Sequence, residues 1–166
     1  NFKTIKSFED FENLPFTTKD DLLKKSPFSF LATDIKNIVR VHSSSGTTGR
    51  SKYIFHTKKD IENWADLVAR CLYMVGMRKE DVFQNMMGYG LFTGGLGLHY
   101  GAEKIGALVV PAGAGNTEKQ IELMRELKTT AIHITPSYLL YLAHYIEEID
   151  LSPSEDFNLK IAIVGA

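Results

Sequence analysis

Cysteine is nearly missing from this chain. Cys71 is the only one in 166 residues, so no disulfide can form within it. That favours a reducing compartment and makes the cytoplasm the expected location. The apolar helical setting of Cys71, Leu67-Val68-Ala69-Arg70-Cys71-Leu72, predicts burial rather than catalysis. An excess of charge of either sign is missing as well. Nineteen basic and 20 acidic residues leave a formal net charge of -1, with no field to draw in nucleic acid or an anionic membrane. The one basic run, Lys24-Lys25, reads as a solvated helix end. The longest apolar runs are far too short for a bilayer. No apolar N-terminal segment follows basic residues, so no secretory signal is visible. His42, His56, His133 and His144 lack metal-ligand spacing, and one cysteine cannot build a structural zinc site. Nucleic acid and membrane are therefore not expected partners.

What is present is ordinary globular material, 44% hydrophobic and 23% charged, enough for one domain with one core. The first residue is Asn1 rather than methionine. The last two, Gly165-Ala166, follow the apolar run Ile161-Ala162-Ile163-Val164, which reads as a buried strand in need of flanking structure. A piece of a longer protein is the expectation.

Residues 1–37 carry turn signals. Thr17 or Thr18 is placed to cap a helix with Asp20 and Asp21 in its first turn, ending before Pro27. Ile38–His42 and Lys52–His56 read as a hairpin closed by the polar stretch Ser43–Ser51. Thr57 caps a predicted helix from Lys58 to Val75, with Ile61, Trp64, Leu67, Val68, Cys71 and Leu72 on one face and Gly76 at its stop. Strands then alternate with helices: Asp81–Met86, helix Thr93–Ile105, strand Ala107–Val110, helix Thr117–Leu127 capped by Thr117, strand Thr129–Ile134, helix Pro136–Ile149, strand Leu159–Val164. Such alternation indicates an α/β fold, a mostly parallel sheet flanked by helices and preceded by a small β-hairpin. Ligands in such sheets sit beyond the C-terminal strand ends. That singles out Met87–Gly95, Pro111–Asn116, Thr135–Tyr138 and Gly165-Ala166.

The most informative segment is Ser43-Ser44-Ser45-Gly46-Thr47-Thr48-Gly49-Arg50-Ser51-Lys52. Five hydroxyl side chains and two glycines fill the seven positions from Ser43 to Gly49. Glycines admit positive φ and close approach, so successive amides can form an anion-binding concavity. Hydroxyls add hydrogen bonds, and Arg50 and Lys52 add positive charge at the rim. Composition alone fits a solvated hairpin turn equally well. The segment is not a Walker A loop, since Gly-Lys-Ser/Thr does not follow at the required spacing. Gly88-Tyr89-Gly90 and Gly95-Leu96-Gly97 each lack the third glycine of the dinucleotide fingerprint, and no strand–glycine–helix arrangement is legible around them.

The order Ser-Ser-Gly-Thr-Thr-Gly-x-x-Lys resembles the phosphate loop of the adenylate-forming superfamily, with Ser51 where a proline is usual. His42–Gly49, Gly88-Tyr89-Gly90-Leu91-Phe92-Thr93-Gly94-Gly95-Leu96-Gly97, His99-Tyr100-Gly101-Ala102-Glu103 and Thr135-Pro136-Ser137-Tyr138 resemble phenylacetate–CoA ligase segments, in family order. Leu14–Asp20 resembles that family's upstream element, so the resemblance covers nearly the whole chain.

The resemblance implies an AMP-forming acid–thiol ligase. An aryl acid attacks the α-phosphorus of ATP, pyrophosphate leaves, and the CoA thiol takes the acyl group from the adenylate. Residues 1–166 would then be part of the N-terminal ATP- and acid-binding domain. The C-terminal lid would lie elsewhere, the isolated piece would be inactive, and a homodimer of the whole protein is open. Ser44, Ser45, Gly46, Thr47, Thr48, Gly49 and Lys52 are implied to hold the ATP phosphates, with Mg²⁺ facing Thr47 or Thr48. Met87, Tyr89, Phe92, Gly94 and Gly95 are implied to line the acid pocket, the glycines leaving volume for it. Core packing at a tight turn is the alternative role for Tyr89, Phe92 and both glycines. Family members often carry tyrosine where Met87 stands, so the accepted acid is expected to differ from phenylacetate. Tyr138, on the strand-end loop, and Gly165 and Ala166 are expected near the nucleotide, with core packing an equal role for Tyr138. His99 is left outside the catalytic set, and a satisfied core role is the default for His133. No catalytic residue is assigned. Two other readings fit the loop: an adenylating enzyme that acylates a carrier protein, and a non-catalytic nucleotide-binding module.

Overall fold

The computed structural model describes residues 5–24, 26–44 and 51–165. Two short helices, α1 (Phe8–Glu12) and α2 (Lys19–Lys24), lead through 3₁₀ turns at Pro27–Phe30 and Ile35–Asn37 into an antiparallel hairpin, β1 (Ile38–Ser43) and β2 (Tyr53–Thr57). There follow α3 (Lys58–Met74), β3 (Val82–Asn85), α4 (Gly94–Ile105), β4 (Leu108–Val110), α5 (Thr117–Glu126), β5 (Ala131–Ile134), α6 (Pro136–Glu148) and β6 (Ile161–Val164). The last four strands form one parallel sheet in the order β4-β3-β5-β6. The α/β architecture expected from the alternation is therefore the one observed.

One hydrophobic cluster holds Met86, Ile121, Met124, Ile132, Ile134, Leu142, Ile146 and Phe157. A second holds Leu72, Met77, Phe83, Ala102, Ala107 and Ala131. Strand β5 (Ala-Ile-His-Ile) is buried at all four positions and supplies both clusters, as a central parallel strand covered on two faces must.

Local signals place most boundaries. Thr57 and Asp60 form a reciprocal capping box at the start of α3. Gly76, at φ +100°, turns the chain after it. Pro136 opens α6 with Thr135 as its cap.

Some expectations are corrected. Cys71 is exposed, not buried, and Leu67 is also exposed. Helix α3 packs along a narrow line through Trp64, Val68 and Leu72, and its apolar stripe is wider than that line. Asn116, not Thr117, caps α5. It sits in the left-handed region at φ 53° and its side chain accepts from the Lys119 amide. A β-branched threonine is poorly tolerated in that conformation, whereas asparagine adopts it. Tyr138 lies in the first turn of α6 rather than on a loop.

Helices α3 and α4 approach closely because α4 carries glycine where α3 presents bulk. A Cβ at Gly97 would stand 2.5 Å from the Trp64 ring, and one at Gly101 would stand 2.5 Å from Val68 Cγ1. Gly97→Ala gains helix propensity of about 1 kcal/mol. It must also displace a large ring, and overpacking of this kind costs about 1–3 kcal/mol. Net destabilisation of about 0–2 kcal/mol is expected in urea unfolding. A stabilised variant would refute the close approach.

Candidate functional site

Asn85, the last residue of β3, is fully buried and organises the strand-end connection. Its amide nitrogen donates to the Gly95 carbonyl at 2.7 Å and to the Tyr89 hydroxyl at 2.9 Å. Its side-chain oxygen accepts from the Met87 amide at 3.3 Å and pairs with His133 Nδ1 at 3.1 Å. One side chain thus ties the segment Met87–Thr93 to the sheet and to the start of α4. Tyr89, exposed by 37%, continues outward to His99 Nδ1 at 3.1 Å, and His99 Nε2 meets Glu103 at 3.1 Å. Burial, ahead of any other cause, raises the Tyr89 phenol above its ordinary value.

The hairpin docks onto this same segment. The Ser43 amide donates to the Leu91 carbonyl at 2.9 Å, and His42 Nδ1 lies 3.0 Å from that oxygen. His42 is buried, packs edge-on against Trp64, and has His56 at 5.6 Å. Burial first, then the neighbouring His42, lower the His56 pKa. Arg40 lies over the Tyr100 ring at 4.8 Å and donates to its hydroxyl at 2.9 Å.

The hairpin loop is closed at its base by Ser44 and Lys52. The Ser44 amide donates to the Lys52 carbonyl at 3.0 Å, and the Lys52 amide donates to Ser44 Oγ at 3.1 Å. Both residues line a groove of about 850 Å³ whose apolar wall includes Leu23, Phe30, Ile54 and Phe55. Ser45, Gly46, Thr47, Thr48, Gly49 and Arg50 lie outside the described residues, as does Ala166.

Met87, Tyr89 and Phe92 fall on the β3–α4 connection, and Gly94 and Gly95 open α4. The space beside the two glycines is used by the protein itself. A Cβ at Gly94 would stand 3.1 Å from the Phe92 ring, and one at Gly95 would stand 2.5 Å from the Gly88 carbonyl. Their smallness therefore closes a tight turn, and the idea that they leave volume free is corrected. A strand–glycine–helix arrangement does exist here, contrary to expectation, though the dinucleotide spacing is still absent. Gly165 follows β6 and donates to the Ile134 carbonyl at 3.2 Å. Tyr138 is half-buried, bonds Thr117 Oγ1 at 3.1 Å and packs on the first core cluster.

Several polar residues at these strand ends give no motif signal in the sequence. Gln84 bonds the Gln120 side chain at 2.7 Å, and Gln120 holds the Gly113 and Gly115 carbonyls at 2.9 and 3.1 Å. Asn85, in the middle of an apolar run, was equally silent. A polar side chain inside a buried strand is the signal that would have found both.

His133 takes the core role expected of it. Burial lowers its pKa to about 4, from an ordinary value of 6.5. The unfolded chain therefore binds a proton between those values while the folded chain does not. Stability should fall as pH drops from about 6.5 to about 4, by roughly 2–3 kcal/mol, and this group adds no further loss below that. His133→Gln should flatten that part of a urea-midpoint-versus-pH curve. An unchanged slope would exclude His133 as its source.

Among the described residues no group of histidine, cysteine or carboxylate side chains is arranged to hold a metal ion, and no helix is long and apolar enough to cross a membrane.

No family model matches the chain. It is similar to phenylacetate-coenzyme A ligases of Aromatoleum evansii (46% identity over 98% of this chain and 37% of that protein), Pseudomonas putida (46% over 95% and 36%) and Escherichia coli (42% over 98% and 37%). The chain thus spans little more than a third of the length of the curated relatives it matches. Among solved structures it resembles 2-hydroxyisobutyryl-CoA ligase in an open conformation with 2-HIB-AMP and CoA, at a TM-score of 0.81 and 28% identity over 97% of this chain and 39% of that one. The N-terminal domain of FACL13 from Mycobacterium tuberculosis shares the fold at a TM-score of 0.52 and 16% identity, over 68% of this chain and 27% of that one. The parallel sheet with its docked hairpin is therefore the N-terminal-domain fold of acyl-CoA ligases, and the chain is by sequence a relative of the phenylacetate-coenzyme A ligases over nearly all of its own length.

Proposed function

We propose that this chain forms part of the ATP- and acid-binding domain of an AMP-forming acid–CoA ligase acting on an aryl acid. The observation that carries the reading is identity of 42–46% to phenylacetate-coenzyme A ligases along nearly the whole chain, not in the loop alone. The carboxylate attacks the α-phosphorus of ATP, forming the acyl-adenylate and releasing pyrophosphate. The CoA sulfur then forms the thioester and AMP leaves. The attacking carboxylate is already ionised near neutral pH, so the first step needs no general base in this chain.

Ser44, Ser45, Gly46, Thr47, Thr48 and Gly49 hold the ATP phosphates through amides and hydroxyls, with Lys52 adding charge at the loop base. The two Ser44–Lys52 hydrogen bonds, one between backbones and one from the Lys52 amide to the Ser44 hydroxyl, support this, since they tie together the two sides of the loop base. Mg²⁺ would neutralise triphosphate charge there, beside the Thr47 or Thr48 hydroxyl. Met87, Tyr89 and Phe92 bound the acid, with Gly94 and Gly95 shaping the turn that presents them. Gly165 and Ala166 sit towards the nucleotide.

Acid-dependent exchange of pyrophosphate into ATP, measured with the intact protein over aryl and short acyl acids, tests the reading. Exchange with an aryl acid is expected, and none with any acid would refute it. Met87 cannot offer a hydroxyl to the bound acid. Met87→Tyr should therefore shift preference among ring-substituted acids by about tenfold, the scale of one hydrogen bond. An unchanged acid profile would remove Met87 from the pocket.

A further inference from the structure

The outer half of the hydrogen-bond chain has a direction. Glu103, as a carboxylate, can only accept, so the His99 nitrogen facing it at 3.1 Å must carry hydrogen. In a neutral imidazole that proton sits on Nε2, and Nδ1 is then a bare lone pair. Nδ1 lies 3.1 Å from the Tyr89 hydroxyl, which must donate to it. On its other side the same hydroxyl oxygen accepts from Asn85 Nδ2 at 2.9 Å, and that amide nitrogen can only donate. The phenol proton is thus occupied by His99. What Tyr89 has left to offer a ligand is an oxygen lone pair. The raised phenol pKa agrees, because the oxygen remains a hydroxyl rather than a phenolate.

We propose that Glu103 and His99 are positioning residues that turn the Tyr89 hydroxyl into a hydrogen-bond acceptor towards the acid, selecting aryl acids whose ring carries a donor such as hydroxyl or amino. The selection rests on the acid-pocket reading above; the direction of the hydrogen bonds does not. Glu103→Gln relaxes this arrangement. A glutamine can donate to His99 Nε2 as well as accept from it, so the Nε2–H tautomer is no longer enforced. In the Nδ1–H form that becomes accessible, Nδ1–H donates to Tyr89 and the phenol proton is released towards the ligand. Glu103 lies on the exposed side of α4, its side chain 53% accessible, so the variant should fold.

Two measurements on the intact protein follow, in mildly alkaline buffer where imidazole is neutral. Nitrogen-15 NMR of the histidine rings should show His99 as the Nε2–H tautomer in the wild type and a shift towards Nδ1–H in Glu103→Gln. Wild-type Nδ1–H would overturn the proposal. Pyrophosphate exchange with hydroxy-, amino-, fluoro- and methoxyphenylacetates, substituted at matched ring positions, should favour the donor-bearing acids by about fivefold or more in KM. Glu103→Gln should lose or reverse that preference and Tyr89→Phe should abolish it, read in each protein as the ratio of KM between matched donor-bearing and donor-free acids. Exchange that proceeds with the same preference in all three proteins would also overturn it. If no acid supports exchange, the ligase reading fails and the selectivity with it, while the NMR result still decides the tautomer.

Discussion

Asn85→Leu is expected to destabilise the protein by about 4 kcal/mol or more in urea unfolding, the largest loss from any single side chain at the strand ends. Leucine has similar volume and fits an apolar strand, so little of the effect should come from packing. The loss comes from the groups Asn85 serves: His133 Nδ1, the Gly95 carbonyl, the Met87 amide and the Tyr89 hydroxyl. A buried donor or acceptor left without a partner costs about 1–3 kcal/mol. His133 and Gly95 are both buried and cannot turn to water. A typical domain has only about 5–15 kcal/mol of stability, so the variant should be near its limit at 37 °C. Tyr89→Phe removes only the outermost of these partners and should cost about 1 kcal/mol. If Asn85→Leu falls within 1 kcal/mol of wild type, Asn85 does not organise the site.

The second large effect is on activity. Replacing both Thr47 and Thr48 with alanine should lower kcat/KM for ATP in pyrophosphate exchange by roughly 10²–10³-fold. A hydrogen bond to a charged group is worth about 1.5–3 kcal/mol, and the two hydroxyls together approach the scale of an oxyanion-hole donor. Folding should be unaffected within about 0.5 kcal/mol, because the change removes only two hydroxyl-bearing side chains from a stretch of serine, threonine and glycine. Lys52→Met separates charge from hydroxyl contributions: it should weaken ATP binding more at low ionic strength than at high. Wild-type exchange in the double-alanine protein would remove the loop from the phosphate site and take the functional reading with it.

Much of the fold is legible in the sequence. Thr57, Gly76 and Pro136 announced helix boundaries through chemistry that acts within four residues. The alternation of short apolar runs with amphipathic helices implied a parallel sheet. Cys71 and Leu67 misled because a hydrophobic stripe reports what a helix can bury, not how wide its partner is. Asn116 and Thr117 are both capping residue types, and only the left-handed backbone at Asn116 separates them.

For the site, sequence alone determined which segments could meet a ligand: a run of glycines and hydroxyls, and the connections after strand ends. These follow from local chemistry and from a topological rule of parallel sheets. Tertiary structure decided how the segments are joined. The Leu91 carbonyl receives the hairpin across 48 residues of intervening chain and Asn85 reaches His133 across 47. The direction of the Glu103–His99–Tyr89 chain likewise depends on three side chains meeting at hydrogen-bond distance. Such pairings are set by the packing of whole elements, so no spacing along the chain can announce them.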